Sequence, residues 1–434
     1  MKIQSPPGMR DFYPQDMRVQ NWLFDAWRRT SLAFGFSEYE GPIFEYLDLY
    51  TLKSGEGIVS ELFNFKDRGE RHFAIRPEMT PTLARMVAAR ANALPRPIKW
   101  FSIPRMCRAE KPQRGRLREF YQWNIDVLGA EDPLADAEVI AAAVAFFQQV
   151  GLAAEDVVVH LSSRPVVAAT LAGLGIPPDD NDRAFQLIDR QDRLQPDEFA
   201  TLWNKAYGQQ VPADRLLSLL AEASMSDCLD AAESTSPGAA DAVHEFRTLW
   251  DLLDTFGVRD FCEFDLRTVR GLAYYTGAVF EFHARAGGLR ALAGGGRYDD
   301  LTGLLDGPRV PGVGFGMGDA PVLGLLKDLG KLPSLHDTLD VYLIDADRTL
   351  LPAILRLAAT LRQHRLAVDF SYKRAAVGKQ FKHAAARGAR YAIVVGSEYT
   401  DGAQLTVKNL ATGHQELVSA EGLLDDPQTV LAAV

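Results

Sequence analysis

The sequence predicts an α+β domain built on an antiparallel sheet, interrupted by a helical insertion and followed by a small α/β domain. Two strand candidates flank a basic loop in residues 101–129, which is typical of a long β-hairpin. Apolar residues recur at helical intervals in residues 179–255, where no comparable strand candidate occurs. Residues 341–396 alternate strand, helix, strand, helix and strand. We therefore predict a first domain over 1–330, a polar linker over 331–339 and a second domain over 340–434.

Hydrophobic spacing predicts the elements of the first domain in order. Val19, Trp22 and Trp27 recur at helical intervals within residues 16–34, and Gly35 ends that helix. Pro81 opens a second apolar stretch with helical spacing. The remaining predicted elements are helices at 82–91 and 135–150 and strands at 98–108, within 261–282 and within 287–318.

The second domain alternates short apolar strands with amphipathic helices, which is typical of a partly parallel sheet. Its predicted strands are 341–345, 367–372 and 391–396, and its predicted helices are 351–364 and 379–387.

Composition is that of an ordinary globular chain, with 434 residues, 47% hydrophobic residues and 24% charged residues. No window of about 18 apolar residues occurs, and residues 1–12 lack the apolar stretch of a secretory signal. We expect a soluble, cytoplasmic protein without a membrane partner.

Cysteine and histidine usage predicts no protein-bound metal. Cys107, Cys228 and Cys262 lie too far apart to form a Cys-x-x-Cys site, and we expect them to be packing residues. The eight histidines form no His-x-x-x-His pair.

Charge is unevenly distributed along the chain. The net charge of −10 argues against a uniformly basic surface for nucleic acid. Residues 105–118 nevertheless hold six basic residues and one acid, and residues 371–390 hold six basic residues and no acid. Each patch is either a solvated surface or a binding surface for phosphates.

The second strand of the hairpin carries an unusual polar face. Alternation along the strand places Phe120, Gln122, Asn124 and Asp126 on one face and Tyr121, Trp123, Ile125 and Val127 on the other. The second face is apolar and predicts a core. The first face is either exposed to solvent or part of a pocket for a polar ligand, which Arg108 and Glu110 can also line.

Arg108-x-Glu110, the basic loop and Phe120 together resemble motif 2 of the class II aminoacyl-tRNA synthetases. Five further segments, in order along the chain, resemble the histidyl-tRNA synthetase family. The first of them, at 35–45, resembles motif 1, and its Pro42 occupies the position of a proline at the family's dimer interface. These segments are GFSEYEGPIFE at 35–45, RPEMT at 76–80, VRGLAYYTGAVFEF at 269–282, AGGGRYDDL at 293–301 and GKQFKHAAARGARYAIVVG at 378–396.

This resemblance implies a homodimeric ligase that joins L-histidine to tRNA(His) through histidyl-adenylate, with ATP as substrate and Mg²⁺ bridging its phosphates. The implied catalytic residues are Arg108 and Arg270, which would bind the α-phosphate. Glu110, Arg116 and Phe120 would complete the ATP site, with Phe120 stacking on adenine.

For the amino acid, the resemblance implies that Glu78, Thr80 and Gln122 hold the α-amino end. Asp126 and Tyr275, beside Tyr274, would pair with the two imidazole nitrogens, one of which donates while the other accepts. Gln113 and Arg114 would meet the tRNA acceptor end. The second domain, through residues 371–390, would bind the anticodon, and no residue is implied as a metal ligand.

One motif departs from the family. Class II motif 3 usually carries an arginine that faces the γ-phosphate, whereas the matching segment here is Gly318-Asp319-Ala320-Pro321-Val322. Two alternatives stay open: another cation, such as Arg297 or Arg309, substitutes for it, or ATP binding is altered.

The missing arginine also leaves another function open. A related protein, the regulatory subunit of ATP phosphoribosyltransferase, resembles the catalytic core but senses histidine without catalysis. Arg270 with Tyr274-Tyr275, the full basic loop and the basic second domain favour the synthetase. A tRNA-binding or kinase-regulating module that has lost its chemistry is a third possibility.

Overall fold

The computed structural model describes residues 3–54, 56–191, 194–222, 224–270, 274–335 and 339–434. The chain forms two compact units, Met1–Leu332 and Pro333–Val434. Two sequence predictions extend outside the described residues: the linker at 331–339 includes 336–338, and the segment at 269–282 includes 271–273.

Strands of the first unit form one large sheet and one small sheet. The strands are β1 (Ser37–Glu38), β2 (Phe44–Tyr46), β3 (Asn64–Lys66), β4 (His72–Ile75), β5 (Ile98–Ser102), β6 (Arg105–Cys107), β7 (Glu119–Leu128), β8 (Val157–Ser163), β9 (Cys262–Phe264), β10 (Ala278–Ala284), β11 (Ala293–Arg297) and β12 (Gly312–Gly318). Within the described residues the large sheet has the order β1-β5-β7-β12-β11-β10-β8-β9, and β6 pairs with β7. Its pairs are antiparallel except at the two ends, where β1–β5 and β8–β9 are parallel.

The predicted hairpin is confirmed with one difference. The strand expected at 98–108 is divided into β5 and β6. Pro104 lies between them and has no backbone N–H with which to continue the ladder. Its carbonyl oxygen accepts from the N–H of Gln122 at 3.1 Å. Strand β7 pairs with both segments.

Helices of the first unit are α1 (Pro14–Ala33), α2 (Asp48–Ser54), α3 (Thr80–Arg90), α4 (Pro133–Gln149), α5 (Arg164–Gly173), α6 (Asn181–Asp189), α7 (Pro196–Tyr207), α8 (Ala213–Glu222), α9 (Met225–Glu233), α10 (Pro237–Thr255) and α11 (Asp319–Asp328). The helices predicted at 16–34, 82–91 and 135–150 are α1, α3 and α4. Helix α4 begins where the Asp132 side chain accepts from the N–H of Leu134.

Helix α4 and helix α1 cover one face of the large sheet. The rings of Trp27, Trp123 and Phe146 meet there, with centroids 5.5–6.1 Å apart. Trp123, Ile125 and Val127 are buried in this core, as the alternation along β7 predicts. The opposite face of β7 therefore carries its polar side chains away from α4.

Residues 181–255 contain helices α6 to α10, and much of this region packs around its own apolar cluster. Phe199, Trp203 and Tyr207 lie on one side of α7 and are almost fully buried. Cys107, Cys228 and Cys262 are buried free thiols, as expected of packing residues. Among the described residues, no helix combines the length and the apolar character needed to cross a bilayer.

The second unit is an α/β domain with a five-stranded sheet in its described part. Its elements are β13 (Leu339–Asp345), α12 (Leu351–Gln363), β14 (Val368–Phe370), α13 (Val377–Ala386), β15 (Ala389–Val395), α14 (Ser397–Gly402), β16 (Gln404–Asn409), β17 (Gln415–Ser419), α15 (Ala420–Asp425) and α16 (Pro427–Ala433). The order is β14-β13-β15-β16-β17, and β13 is parallel to both of its neighbours. The partly parallel sheet is confirmed. Strands β16 and β17 were not predicted, because both are short and rich in polar residues.

Candidate active site

The uncovered face of the large sheet forms the floor of an open cavity of about 1410 Å³. Glycines on β11 and β12 create the space. A Cβ atom built on Gly294 would overlap the guanidinium of Arg270, and one built on Gly316 would overlap the amide of Gln122. The glycine-rich strands therefore do not form a phosphate loop; they let larger side chains from neighbouring segments lie flat on the sheet.

Arg270 reaches this floor from a strained backbone position, with φ at 54°. Its guanidinium forms an ion pair with Glu281 on β10, and its Nε is buried without a hydrogen-bond acceptor among the described residues. Burial acts to lower the pKa of Arg270, but the neighbouring Tyr275 and Glu281 outweigh it and raise the pKa. Burial acts to raise the pKa of Glu281, but Arg270 and His283 lower it to about 2. Both groups are charged at neutral pH.

Arg108 lies in the same cavity, at the end of β6. Its Nε donates to the carbonyl oxygen of Pro77 at 3.0 Å, and its guanidinium carbon lies 5.1 Å from the centre of the Phe120 ring. Burial lowers the pKa of Arg108; Glu78 acts against this shift, and the positive charge of Arg270 adds to it. The repulsion between the two arginines means that both charges approach one region of the cavity.

The loop at 108–118, which we call the hairpin loop, forms the outer wall. Glu110 and Arg116 form an ion pair, and the backbones of Gln113 and Arg116 exchange hydrogen bonds of 2.8 and 2.9 Å around Gly115. Gly115 has φ at 76°, which favours glycine. Gln113 lines the cavity. Arg114 does not; its side chain is 66% exposed and pairs with Asp328 at 2.6 Å.

The side chains that the sequence assigns to the amino acid lie mostly together. Glu78, Thr80, Gln122, Tyr274 and Tyr275 all line the cavity. The hydroxyl of Tyr274 donates to Glu78 at 3.5 Å, and the two tyrosine rings lie 4.6 Å apart.

Asp126 is the exception in that group, because the structure places it beneath the cavity wall. It is 3% exposed, and its Oδ1 accepts from the hydroxyl of Tyr298 at 2.6 Å. Burial raises the pKa of Asp126 to about 7, against the lowering effect of the Tyr298 hydrogen bond. Tyr298 also lines the cavity, although its sequence position did not predict it as a site residue. Its position directly after the glycine-rich strand β11 was the available signal.

Neither arginine proposed to replace the motif 3 arginine reaches the cavity. Arg297 bonds to the Asp136 carboxylate with its Nε, at 3.1 and 3.2 Å, and to the Ala130 carbonyl oxygen at 3.0 Å. Both partners lie on the α4 side of the sheet. Arg309 is 55% exposed and pairs with Glu131 at 3.1 Å and Asp300 at 2.9 Å.

Asp319 and Pro321 occupy the positions around the missing arginine. Asp319 is fully buried; it accepts from Arg10 at 2.7 Å and from the N–H of Tyr121 at 3.1 Å. The N-terminal segment is thereby held against the start of α11, and Pro321 lines the cavity. Over the described ranges, no group of three or more His, Cys, Asp or Glu side chains is placed to hold a metal ion.

This architecture is that of an aminoacyl-tRNA synthetase: an antiparallel sheet whose open face gathers two arginines, a basic hairpin loop and a cluster of amides and phenols. The model of the family described as histidyl-tRNA synthetase matches residues 8–319, and that of the anticodon binding domain matches residues 340–426. The chain therefore belongs to the histidyl-tRNA synthetase family.

Individual relatives agree over nearly the whole length. The chain is 38% identical over 422 residues to the chloroplastic/mitochondrial histidine–tRNA ligase of Arabidopsis thaliana, covering 97% of this chain and 86% of the relative. It is 41% identical over 406 residues to the histidine–tRNA ligase of Opitutus terrae, covering 91% of each. The crystal structure of histidyl-tRNA synthetase from Nostoc sp. PCC 7120 superposes with a TM-score of 0.79 at 26% identity, over 99% of this chain and 100% of that one.

Proposed function

We propose that this cavity joins histidine to ATP, giving histidyl-adenylate and pyrophosphate, and then transfers the histidyl group to tRNA(His) with release of AMP. The observation that supports it best is the approach of Arg108 and Arg270 to one region beside Glu78 and Tyr275. Two guanidinium groups that face one cavity repel each other and favour an anion between them. A phosphate flanked by an amino acid carboxylate is such an anion.

The first step is attack by a histidine carboxylate oxygen on the α-phosphorus, while the bond from that phosphorus to the oxygen of the leaving pyrophosphate breaks. Arg270 would contact both the carboxylate and the phosphate, and Arg108 the phosphate alone. Because negative charge shifts among the phosphoryl oxygens in the transition state, fixed guanidinium groups act there by electrostatics and positioning. The buried Arg270 Nε–H, which has no acceptor among the described residues, can donate to this anion.

The nucleotide would lie along the hairpin loop. Phe120 offers a ring on which adenine can stack, with the Arg108 guanidinium beside it. Glu110 would orient the nucleotide, and Arg116 would meet the phosphates once its ion pair with Glu110 opens.

Histidine would lie deeper, with its ammonium group near Glu78, Thr80 and Gln122. The imidazole ring needs one acceptor and one donor. Tyr275 and Tyr298 present phenols to the cavity, and Asp126 would act on the ring through the hydroxyl that Tyr298 donates to it. An amino acid without both ring nitrogens leaves buried polar groups unpaired, which is the physical basis for rejecting it.

We further propose that Mg²⁺ enters with ATP. Glu110 and Glu281 both line the cavity, and Mg²⁺ is usually held by one or two carboxylates together with substrate phosphates. One of these carboxylates would hold it together with the phosphates, after exchanging its arginine partner for the ion, and the ion would neutralise phosphate charge.

Two surfaces would bind tRNA. Gln113 and Arg114 on the hairpin loop would meet the acceptor end; Arg114 is exposed and available to a phosphate once it leaves Asp328. On the second unit, residues 371–390 expose Lys373, Lys379 and Lys382, and Tyr372 is 86% exposed. Lysines next to an exposed ring suit an unpaired loop, because they combine phosphate contacts with base stacking.

A homodimer is also part of the proposal. The small sheet of the first unit, ordered β2-β4-β3, exposes Phe44 (47%), Tyr46 (53%) and Phe65 (41%) around the ring of Phe73. An exposed aromatic cluster of this size is typical of an interaction surface. It includes Phe44 of the segment at 35–45 that resembles motif 1, and a second copy of the chain is the partner that this resemblance implies. The cytoplasmic location stays a prediction.

The decisive experiment is exchange of labelled pyrophosphate into ATP, measured with each of the twenty amino acids in turn. We expect exchange with histidine alone, because labelled pyrophosphate enters ATP only when an aminoacyl-adenylate forms and reverts. Histidine binding without exchange, together with activation of a phosphoribosyltransferase partner, would instead support the histidine-sensing alternative.

A further inference from the structure

Arg290 lies in the segment that joins β10 to β11, beside the start of α11. The carbonyl oxygen of Leu292 accepts from the N–H of Gly318 at 3.2 Å, so the β11–β12 pairing extends one residue beyond the strands. Arg290 precedes Leu292 by two residues, and the first turn of α11 follows Gly318. The side chain of Leu289 lies 3.7 Å from the Cβ position of Gly324 in α11. The segment 289–292 therefore runs along the beginning of this helix.

Arg290 also contacts the hairpin loop. Its Nη2 donates to Oε1 of Gln113 at 2.8 Å. Gly115 of the same loop faces Pro321, whose Cβ lies 3.9 Å from the Cβ position of that glycine. Arg290, Gln113, Gly115 and Pro321 all line the cavity and form a continuous corner of its wall. This corner is where an arginine at position 321 would have projected.

Two further arginines of the wall form ion pairs of their own. Arg267 pairs with Asp265 at 2.8 Å, and Arg285 pairs with Glu263 at 2.6 Å and bonds to the Ala154 carbonyl oxygen. Arg108 bonds to Pro77 and lies beside Phe120, and Arg270 lies over Gly294 and pairs with Glu281. The corner at Gln113 and Pro321 thus has a second guanidinium beside Arg116 of the hairpin loop, and the β10–β11 connection supplies it.

We propose that Arg290 binds the outer phosphates of ATP, the β- and γ-phosphates that leave as pyrophosphate, and so does the work of the absent arginine. This inference rests on the proposed function, because it takes the cavity to be an ATP site. A guanidinium can contact two phosphate oxygens at once, and the bond to Gln113 holds its plane towards the hairpin loop. The cation therefore reaches the triphosphate from the β10–β11 connection instead of from α11.

The test compares the affinity of ATP with that of AMP for the full chain, by calorimetry in Mg²⁺ buffer. In Arg290→Ala we expect the Kd of ATP to rise about 10- to 100-fold, since charge-assisted hydrogen bonds are lost. The Kd of AMP, which lacks the outer phosphates, stays within about twofold. Arg290→Lys keeps the charge but not the planar fork, so it recovers part of the loss. Arg309→Ala, on the surface outside the cavity, leaves both affinities unchanged.

Two outcomes would overturn the inference: an unchanged Kd for ATP in Arg290→Ala, or equal losses of affinity for ATP and AMP. Folding is checked by the histidine affinity of the variant, which we expect to stay unchanged. Exchange assays on the wild-type chain run in parallel. If the wild-type chain shows no exchange, the proposed function is wrong, while the ratio of the affinities for ATP and AMP still decides the role of Arg290. A wild-type chain that binds no ATP contradicts both.

Discussion

Arg270 and Arg297 each form an ion pair with a carboxylate inside the first unit, but on opposite faces of the same sheet. Arg297 belongs to β11 and points towards α4, where it meets Asp136; the side chains are 8% and 2% exposed. Arg270 lies over Gly294 on the cavity face and meets Glu281; the side chains are 20% and 24% exposed. The pKa values of the two carboxyl groups shift in opposite directions. Burial raises the pKa of Asp136 to about 6 in spite of Arg297, whereas Arg270 holds the pKa of Glu281 at about 2.

The difference shows what a buried ion pair does when water is near and when it is not. Asp136 is fully desolvated, and the cost of its charge exceeds the attraction of its partner. Glu281 keeps some contact with the cavity, so attraction exceeds desolvation. The hydrogen bonds of Arg297 go to the protein, and its side chain fastens β11 to α4. Arg270 keeps a buried Nε without an acceptor in the described chain and a strained backbone, which is typical of a group positioned for a ligand.

The largest effect on stability is expected when one partner of the buried Arg297–Asp136 ion pair is removed. Arg297→Met leaves the Asp136 carboxylate buried without a partner, and we expect the free energy of unfolding to fall by about 3–5 kcal/mol. Urea denaturation measures it. The double variant Arg297→Met with Asp136→Leu should recover most of the loss, because no charge remains in the core.

The surface gives the matched control. Arg309→Met removes an arginine with three carboxylates nearby, but its side chain is 55% exposed, and we expect a change below about 1 kcal/mol. Similar decreases in the free energy of unfolding for Arg297→Met and Arg309→Met would contradict the distinction between a buried and a solvent-exposed ion pair.

Removing the cavity arginine should affect the reaction more than the fold. Arg270→Ala is expected to lower the rate of histidine-dependent pyrophosphate exchange by about 100- to 1000-fold, since it removes a cation from the developing charge. The free energy of unfolding should fall by less than in Arg297→Met. Arg270→Lys should remain well below wild type, because an ammonium group cannot contact the carboxylate and the phosphate together. An Arg270→Ala enzyme with normal exchange would remove Arg270 from the mechanism.

The smallest effect concerns pH. The pKa of Glu281 is lowered in the folded state from 4.5 to about 2, so its stabilising contribution is present above pH 4.5 and is lost as the pH falls from 4.5 towards 2. Glu281→Gln should therefore be less stable than wild type by on the order of 2 kcal/mol at pH 7, and the gap should narrow below pH 4.5. Denaturation curves between pH 7 and pH 3 measure it.

Glu263→Gln is the control for this titration, because Glu263 is 52% exposed in its pair with Arg285. We expect its free energy of unfolding to stay within about 1 kcal/mol of wild type between pH 7 and pH 3. A gap for Glu281→Gln that is independent of pH would show that the amide alters packing and that the charge is not responsible.

Much of the site was predictable because its residues follow strand alternation. Gln122 and Asn124 face the cavity, and Trp123 and Ile125 face the core, as the period of two along β7 requires. The same rule placed Asp126 in the cavity, and here it was incomplete. Alternation along a strand determines which face of the sheet a side chain lies on. Its exposure on that face depends on the residues that cover it, and Tyr298 covers Asp126.

The sequence by itself determined helices α1, α3 and α4, the alternating strands and helices that open the second domain, the hairpin with its basic loop, and the set of side chains able to contact phosphate and imidazole. These follow from local periodicity and from residue chemistry, which act over a few neighbouring positions. Only the tertiary structure decided which arginines share the cavity: Arg270 and Arg290 reach it, and Arg297 and Arg309 do not. That choice depends on strand pairing between distant segments and on glycines that leave room above the sheet, so no stretch of sequence contains it.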